Sequence, residues 1–206
     1  MKKRIVFPLP VVVEGKYDKM KLTEVIDGHI ITTDGFGIFN KKEKLSLIKR
    51  LAERGVVLLC DSDGAGGVIR RHIMSAVPKD KIYNLYIPKI EGKERRKKDP
   101  SREGTLGVEG MNADLLYKMF FELSVRLGID TENGEMGEAV GKKSVTKADF
   151  YEDGLTGRDN SAASRDALAA YFSLPSGMTP SALLGAINIL VDYDGYKAAV
   201  AEVFDK

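Results

Sequence analysis

A chain of 206 residues with 43% hydrophobic content is long enough for one ordinary core and a smaller second one, which excludes a disordered tail or a disulfide-stapled miniprotein. Its 32 basic and 30 acidic residues leave a net charge of +2, so any nucleic-acid footprint has to come from local clustering. The single cysteine, Cys60, excludes an internal disulfide and fits a reducing compartment; with Pro8, Pro10 and Glu14 interrupting the first apolar stretch and no run of membrane-spanning length, a cytoplasmic protein without membrane association is expected.

The first strand-like run, residues 11–13, is all valine and ends in Glu14-Gly15-Lys16. A helical stretch near residues 18–26 leads to a second apolar run at 30–32, and a further helix is expected over 41–53. The third run, 56–60, ends in Asp61-Ser62-Asp63 and then Gly64, Gly66 and Gly67, with helical spacing over 67–76 and a fourth run at 82–87. This alternation reads as βαβ units and a mostly parallel sheet.

From residue 89 to 102 the periodicity gives way to a basic loop carrying Lys93, Arg95, Arg96, Lys97, Lys98 and Arg102. Residues 112–127 return to helical spacing through Leu115, Met119, Leu123 and Leu127. The glycine-rich, acidic stretch 128–143 is the best linker candidate, which gives domains at 1–127 and 144–206. The second of these reads as helical throughout, with Thr146, Ser161 and Thr179 (followed by Pro180) as caps and Leu183, Ile187 and Leu190 on a packing face.

Asp61 and Asp63 stand at i and i+2, so in an extended segment they project to the same side and can reach one ion. Hard oxygen ligands of this kind suit Mg²⁺, with Mn²⁺ as a substitute. In open α/β sheets ligands bind beyond the carboxyl ends of the strands, so Glu14 can join the two aspartates although far from them in sequence. An EF-hand fails, because its fifth and twelfth positions hold Ala65 and His72. A phosphatase with an Asp-x-Asp nucleophile strand stays open, although Ala65 and an earlier acidic strand fit it poorly. His29 and His72 have no zinc-ligand spacing, and Gly35-Phe36-Gly37-Ile38-Phe39-Asn40 lacks the third glycine of a dinucleotide fingerprint.

The segments Val12-Val13-Glu14-Gly15-Lys16 with Asp18, and Leu58-Leu59-Cys60-Asp61-Ser62-Asp63-Gly64-Ala65-Gly66 with Ile69-Arg70, resemble in order and separation the two acidic motifs of the Toprim domain. Ile31-Thr32-Thr33-Asp34-Gly35, Gly107-Val108-Glu109 and the helical region 148–204 extend the likeness, and the chain resembles the ribonuclease M5 family of 5S ribosomal RNA maturation endonucleases. It departs from that pattern at Tyr17, where a second acid is usual, at Asp34 for asparagine, at Ser62 for proline and at Gly110 for histidine.

The resemblance implies a Toprim-like α/β (Rossmannoid) domain joined to a small helical carboxy-terminal domain that binds RNA or protein. It implies a Mg²⁺-dependent endoribonuclease that cuts a double-stranded region of precursor 5S ribosomal RNA, helped by the ribosomal protein that binds 5S RNA. Glu14, Asp61 and Asp63 would be metal ligands and catalytic groups, and Glu109 and Lys16 would support them. Phosphate contacts are expected from Arg70, Arg71, the basic loop and the pair Arg158 and Arg165 beside a helix start. Two other classes remain: a non-cleaving Toprim scaffold, and a Toprim nuclease or primase-like enzyme acting on DNA or another RNA.

Overall fold

The computed structural model describes residues 3–40, 42–61, 64–93, 104–137, 143–172 and 174–204. The chain divides into two compact units, Met1–Val140 and Gly141–Lys206, so the division falls inside the segment read as a linker.

The first unit is built on a four-stranded, all-parallel sheet in the order β2-β1-β3-β4. Its strands are β1 (Ile5–Val13), β2 (Ile26–Thr32), β3 (Val56–Cys60) and β4 (Ile82–Tyr86). Helices α1 (Lys16–Leu22), α2 (Lys42–Leu51), α3 (Gly64–Met74) and α4 (Ala113–Leu127) cover it. On one face Val12, Leu58 and Cys60 pack against Ile48 of α2 and Ile69 and Ile73 of α3. On the other, the Phe7 ring meets Phe120 of α4 edge-on at 5.2 Å. The buried runs are rich in Val, Ile and Leu because both faces are covered, as parallel sheets require.

β1 begins six residues before the expected start. Pro8 and Pro10 cannot donate to the ladder, and the pairing with β2 slips between Phe7 and Val11, so the strand passes through an irregularity instead of ending there. α1 stops at Leu22, short of the expected 26, because Ile26 is taken into the sheet opposite Ile5. α4 buries Leu116, Met119, Phe120 and Leu123, a stripe rotated from the expected one; Leu115 and Leu127 are only half-buried. Beyond α4, Ile129 and Met136 form an antiparallel bridge and the Val6 N–H donates to the Thr131 carbonyl at 2.9 Å, so this part of the glycine-rich segment belongs to the first unit.

The second unit is helical: α5 (Lys147–Glu152), α6 (Ser161–Tyr171), α7 (Pro180–Leu190) and α8 (Tyr193–Phe204). Phe150, Leu155, Leu168, Leu183, Ile187 and Tyr196 are buried in it. Thr146 caps α5 reciprocally with Asp149, and Thr179 caps α7 with Pro180 in the first turn. Ser161 is not the cap of α6 but its first residue; its Oγ accepts from the Arg158 N–H at 2.9 Å. Leu190 is half-buried, and Ala186 takes the expected place beside Leu183 and Ile187. Among the described residues no helix is long and apolar enough to cross a membrane.

Candidate functional site

The sheet order puts β1 between β2 and β3, so the chain leaves β1 to one side through α1 and later returns to its other side as β3. This reversal opens the crevice where ligands of α/β sheets bind. Glu14 follows the last residue of β1 and Asp61 the last of β3, which makes them neighbours although 47 residues apart. The Asp61 N–H donates to Glu14 Oε1 at 2.8 Å, and the Val108 N–H donates to Asp61 Oδ1 at 2.9 Å.

Two glycines make room for these carboxylates. A Cβ on Gly66, in the first turn of α3, would stand 2.3 Å from the Asp61 carbonyl oxygen and 2.6 Å from Glu14 Oε1. One on Gly107 would stand 2.4 Å from Asp61 Oδ2. Either side chain would displace an acid, so both positions exist by close approach.

Asp18 completes the cluster. It is 8% exposed, accepts the Gly15 N–H at 2.9 Å, and its pKa rises from 3.8 to about 6. Burial is the main cause, followed by the negative charge of Asp61 and, more weakly, of Glu109. The sequence places Asp18 within the first acidic motif without marking a role for it; its spacing from Gly15, as an acid that can reach back to a helix-start N–H, is the available signal. Thr33 was missed as well: it is buried, its Oγ1 donates to the Glu14 carbonyl at 3.2 Å and its N–H to the Val13 carbonyl at 2.9 Å.

In donor type the cluster fits a hard divalent cation: its side chains are carboxylates, and their like charges repel. Among the described residues no group of three His, Cys, Asp or Glu side chains is arranged to hold a metal ion by itself, and Asp63 lies outside those residues.

Glu109 is half-buried beside this cluster, in a short 3-10 turn, Val108–Gly110. Lys16 is exposed at the start of α1, its Nζ 4.9 Å from the centre of the Tyr17 ring. Lys93 is exposed at the root of the basic loop, where Gly92 and Gly104 are joined by a 2.9 Å backbone hydrogen bond. Glu91 and Thr105 form an isolated antiparallel bridge, and three residues after Thr105 the Val108 N–H reaches Asp61. Arg95, Arg96, Lys97, Lys98 and Arg102 lie outside the described residues.

Arg70 is a correction. It is 5% exposed and donates to the carbonyls of Leu58, Cys60 and Leu85 and to Asn84 Oδ1 at 3.0–3.4 Å, with its guanidinium 4.1 Å from the centre of the Tyr86 ring. Its donors tie α3 to the sheet, so it is no phosphate ligand. Arg71, one residue on, is exposed. In the second unit Arg158 is exposed and donates to the Glu152 carbonyl at 3.2 Å, whereas Arg165 is half-buried and donates to the Leu155 carbonyl at 2.7 Å. Cys60 is buried, which pushes its thiol up to about 12 and leaves it inert.

No family model matches the chain. Among curated proteins it is similar to Ribonuclease M5 of Fusobacterium nucleatum, 26% identical over 162 residues that span 78% of this chain and 76% of that one. Ribonuclease M5 of Mycoplasma genitalium is 38% identical over 87 residues, 42% of this chain and 47% of the relative. Ribonuclease M5 of Lactococcus lactis is 32% identical over 130 residues, 63% and 57% of the two chains. The matched segment thus spans about half the length of the Mycoplasma and Lactococcus relatives. All of these matches share one name, and together they support assignment of the chain to the ribonuclease M5 family.

Proposed function

We propose that this protein is a divalent-metal-dependent endoribonuclease that cuts a double-stranded region of precursor 5S ribosomal RNA in the cytoplasm. The observation that carries the reading is the hydrogen-bonded junction of Glu14 with Asp61 at the switch point of the sheet, in a chain whose relatives are named ribonucleases.

Asp61 and Glu14, with Asp63, would hold Mg²⁺ or Mn²⁺, which when bound polarises the scissile phosphate and offsets the charge that builds on it. The chain's own part is positioning. Val108 orients the Asp61 carboxylate, the Asp61 amide orients Glu14, and Gly66 and Gly107 keep the approach open. Glu14 is the group placed to accept or return a proton, with Asp18 and Glu109 as further negative charge around it. Arg71, Lys93 and the cations of the basic loop supply phosphate contacts, which position RNA without reading its sequence. The ribosomal protein that binds 5S RNA is the partner proposed to present the substrate in its cleavable shape.

The test is incubation of the purified protein with precursor 5S RNA and with a matched DNA duplex, in Mg²⁺ and in EDTA, with and without that ribosomal protein. Discrete, metal-dependent cuts in the RNA alone are expected. Binding without cuts under every condition would replace the reading with a scaffold role; cuts in the DNA duplex would move it to another nuclease class.

A further inference from the structure

We propose that Phe36 and Phe39 form a stacking platform for an unpaired nucleobase of the RNA, beside the Glu14–Asp61 junction. The inference rests on the ribonuclease reading and adds a shape requirement to its substrate.

Both rings stand on the five-residue 3-10 turn Gly35–Phe39 that follows β2. Between them Ile38 fills the core at 1% exposure, while Phe36 is 58% and Phe39 40% exposed. The core therefore explains Ile38 and leaves the two aromatics in water. Their ring centres are 5.9 Å apart, and Phe39 lies 4.4 Å from the imidazole of His72 on α3, so the platform is backed by a third ring. Isolated exposed phenylalanines need no explanation, but a supported pair does.

The turn is held in a costly conformation. Asp34, at φ 57°, is the single non-glycine residue with positive φ among the described residues, and Gly35 follows at φ 59°. Three contacts impose it: the Lys44 ammonium 2.6 Å from Asp34 Oδ2, the Thr32 hydroxyl donating to Asp34 Oδ1 at 3.0 Å, and the Gly35 N–H donating to the Glu14 carbonyl at 3.0 Å. Residues held in this region by several contacts cluster at functional sites. The last contact puts Phe36 one residue from a bond to the backbone of Glu14.

Charge points to nucleic acid as the occupant. Arg71, next to His72, is exposed and folds back along α3, its Nη1 3.5 Å from where a Cβ on Gly67 would stand. Arg71 stands on the same helix as the His72 ring that backs Phe39, and a cation for the backbone together with π-faces for a base is how single-stranded segments are held, any base being able to stack. Paired bases are sequestered within the duplex, so the platform selects a base that a bulge or distortion has freed.

The test uses the full chain in EDTA, so that nothing is cut, and two RNA hairpins differing by a single bulged 2-aminopurine. The wild type should quench the 2-aminopurine and prefer the bulged RNA about ten-fold, the scale of one base–aromatic stack. Phe36→Ala, and separately Phe39→Leu, should lose the quench and the preference while binding the paired hairpin as before. Unchanged quenching and preference in both variants would overturn the platform. So would variants altered only in sedimentation without RNA, which would make the rings a contact between copies. A wild type that binds and, with Mg²⁺, cuts RNA but ignores the bulge sinks the platform alone; one that binds neither hairpin and cuts nothing sinks the ribonuclease reading and the platform with it.

Discussion

Two carboxylate clusters in this chain are built on opposite electrostatic terms. In the helical unit Asp153 receives the Lys197 ammonium at 2.8 Å on both oxygens and the Tyr196 hydroxyl at 2.6 Å, and burial together with Asp153 pushes the Tyr196 phenol up so that it stays a donor. At the strand ends of the α/β unit, Asp18 and Asp61 receive backbone N–H groups, yet the carboxylates still repel one another, enough to help raise Asp18 to about 6. A charge whose neighbours neutralise it is explained by the fold. Repulsion kept in place by buried glycines and backbone donors is the arrangement that the metal site proposed above would use.

The contrast is broken most directly at Asp61. Asp61→Asn keeps an acceptor for the Val108 N–H and removes the charge. Cleavage should fall about a thousand-fold, the scale for losing a preorganised electrostatic group, while thermal stability holds or rises. RNA affinity in EDTA should be unchanged, because it comes mainly from cations. Single-turnover cleavage beside a melting curve decides it: a folded Asp61→Asn protein that cuts at the wild-type rate would end the metal-site reading.

The two neighbouring arginines extend the comparison to positive charge. Arg70→Met leaves several buried acceptors without their donor, and about 3 kcal/mol of stability should go in a urea titration. Arg71→Ala should change stability by no more than about 0.5 kcal/mol, yet lower the slope of log affinity against log salt by about 1. Equal effects on both measurements from both substitutions would refute the division between a structural and a phosphate-binding arginine.

Which parts were legible in the sequence follows the same physics. Glu14 and Asp61 could be read because an acid directly after a run of buried apolar residues is conspicuous, and strand ends in a parallel sheet share one crevice. Arg70 was misread because exposure on a helix depends on how the helix sits on the sheet, and a guanidinium aimed at strand carbonyls leaves no trace in spacing. The first half of β1 was hidden by Pro8 and Pro10, which argue against a strand unless a register slip absorbs them. Asp18 and Thr33 were overlooked because their importance lies in partners reached only after folding: the Gly15 N–H with Asp61 close by for one, the Glu14 carbonyl for the other.

Asp18 gives the comparison a pH signature. Its carboxyl holds a proton more tightly in the folded chain, with a pKa of about 6, than at its ordinary value of 3.8. Between these values the folded state therefore carries more protons than the unfolded one. Stability from this group is complete below pH 3.8 and lost as pH rises through 6, by up to about 3 kcal/mol in metal-free protein. Asp18→Asn, which keeps an acceptor for Gly15, should flatten that part of the profile and be the more stable protein at pH 7.5. Urea midpoints in EDTA from pH 4 to 8 test this, and a wild-type profile that rises through the window would contradict the assigned repulsion.

A smaller effect than that at Asp18, and of opposite sign, belongs to the satisfied cluster. Asp153→Asn removes the charge facing Lys197 but leaves an oxygen for the Tyr196 hydroxyl, whereas Asp153→Ala removes both. The alanine variant should lose about 2 kcal/mol, mostly from the stranded Tyr196 hydroxyl, and the asparagine variant about 1 kcal/mol or less, because the Lys197 end is partly solvated. Neither should gain stability at any pH from 5 to 9. Neutralising an acid is thus expected to destabilise this cluster and to stabilise the one around Asp18, and urea titrations of the two asparagine variants at pH 7.5 check that opposition of sign.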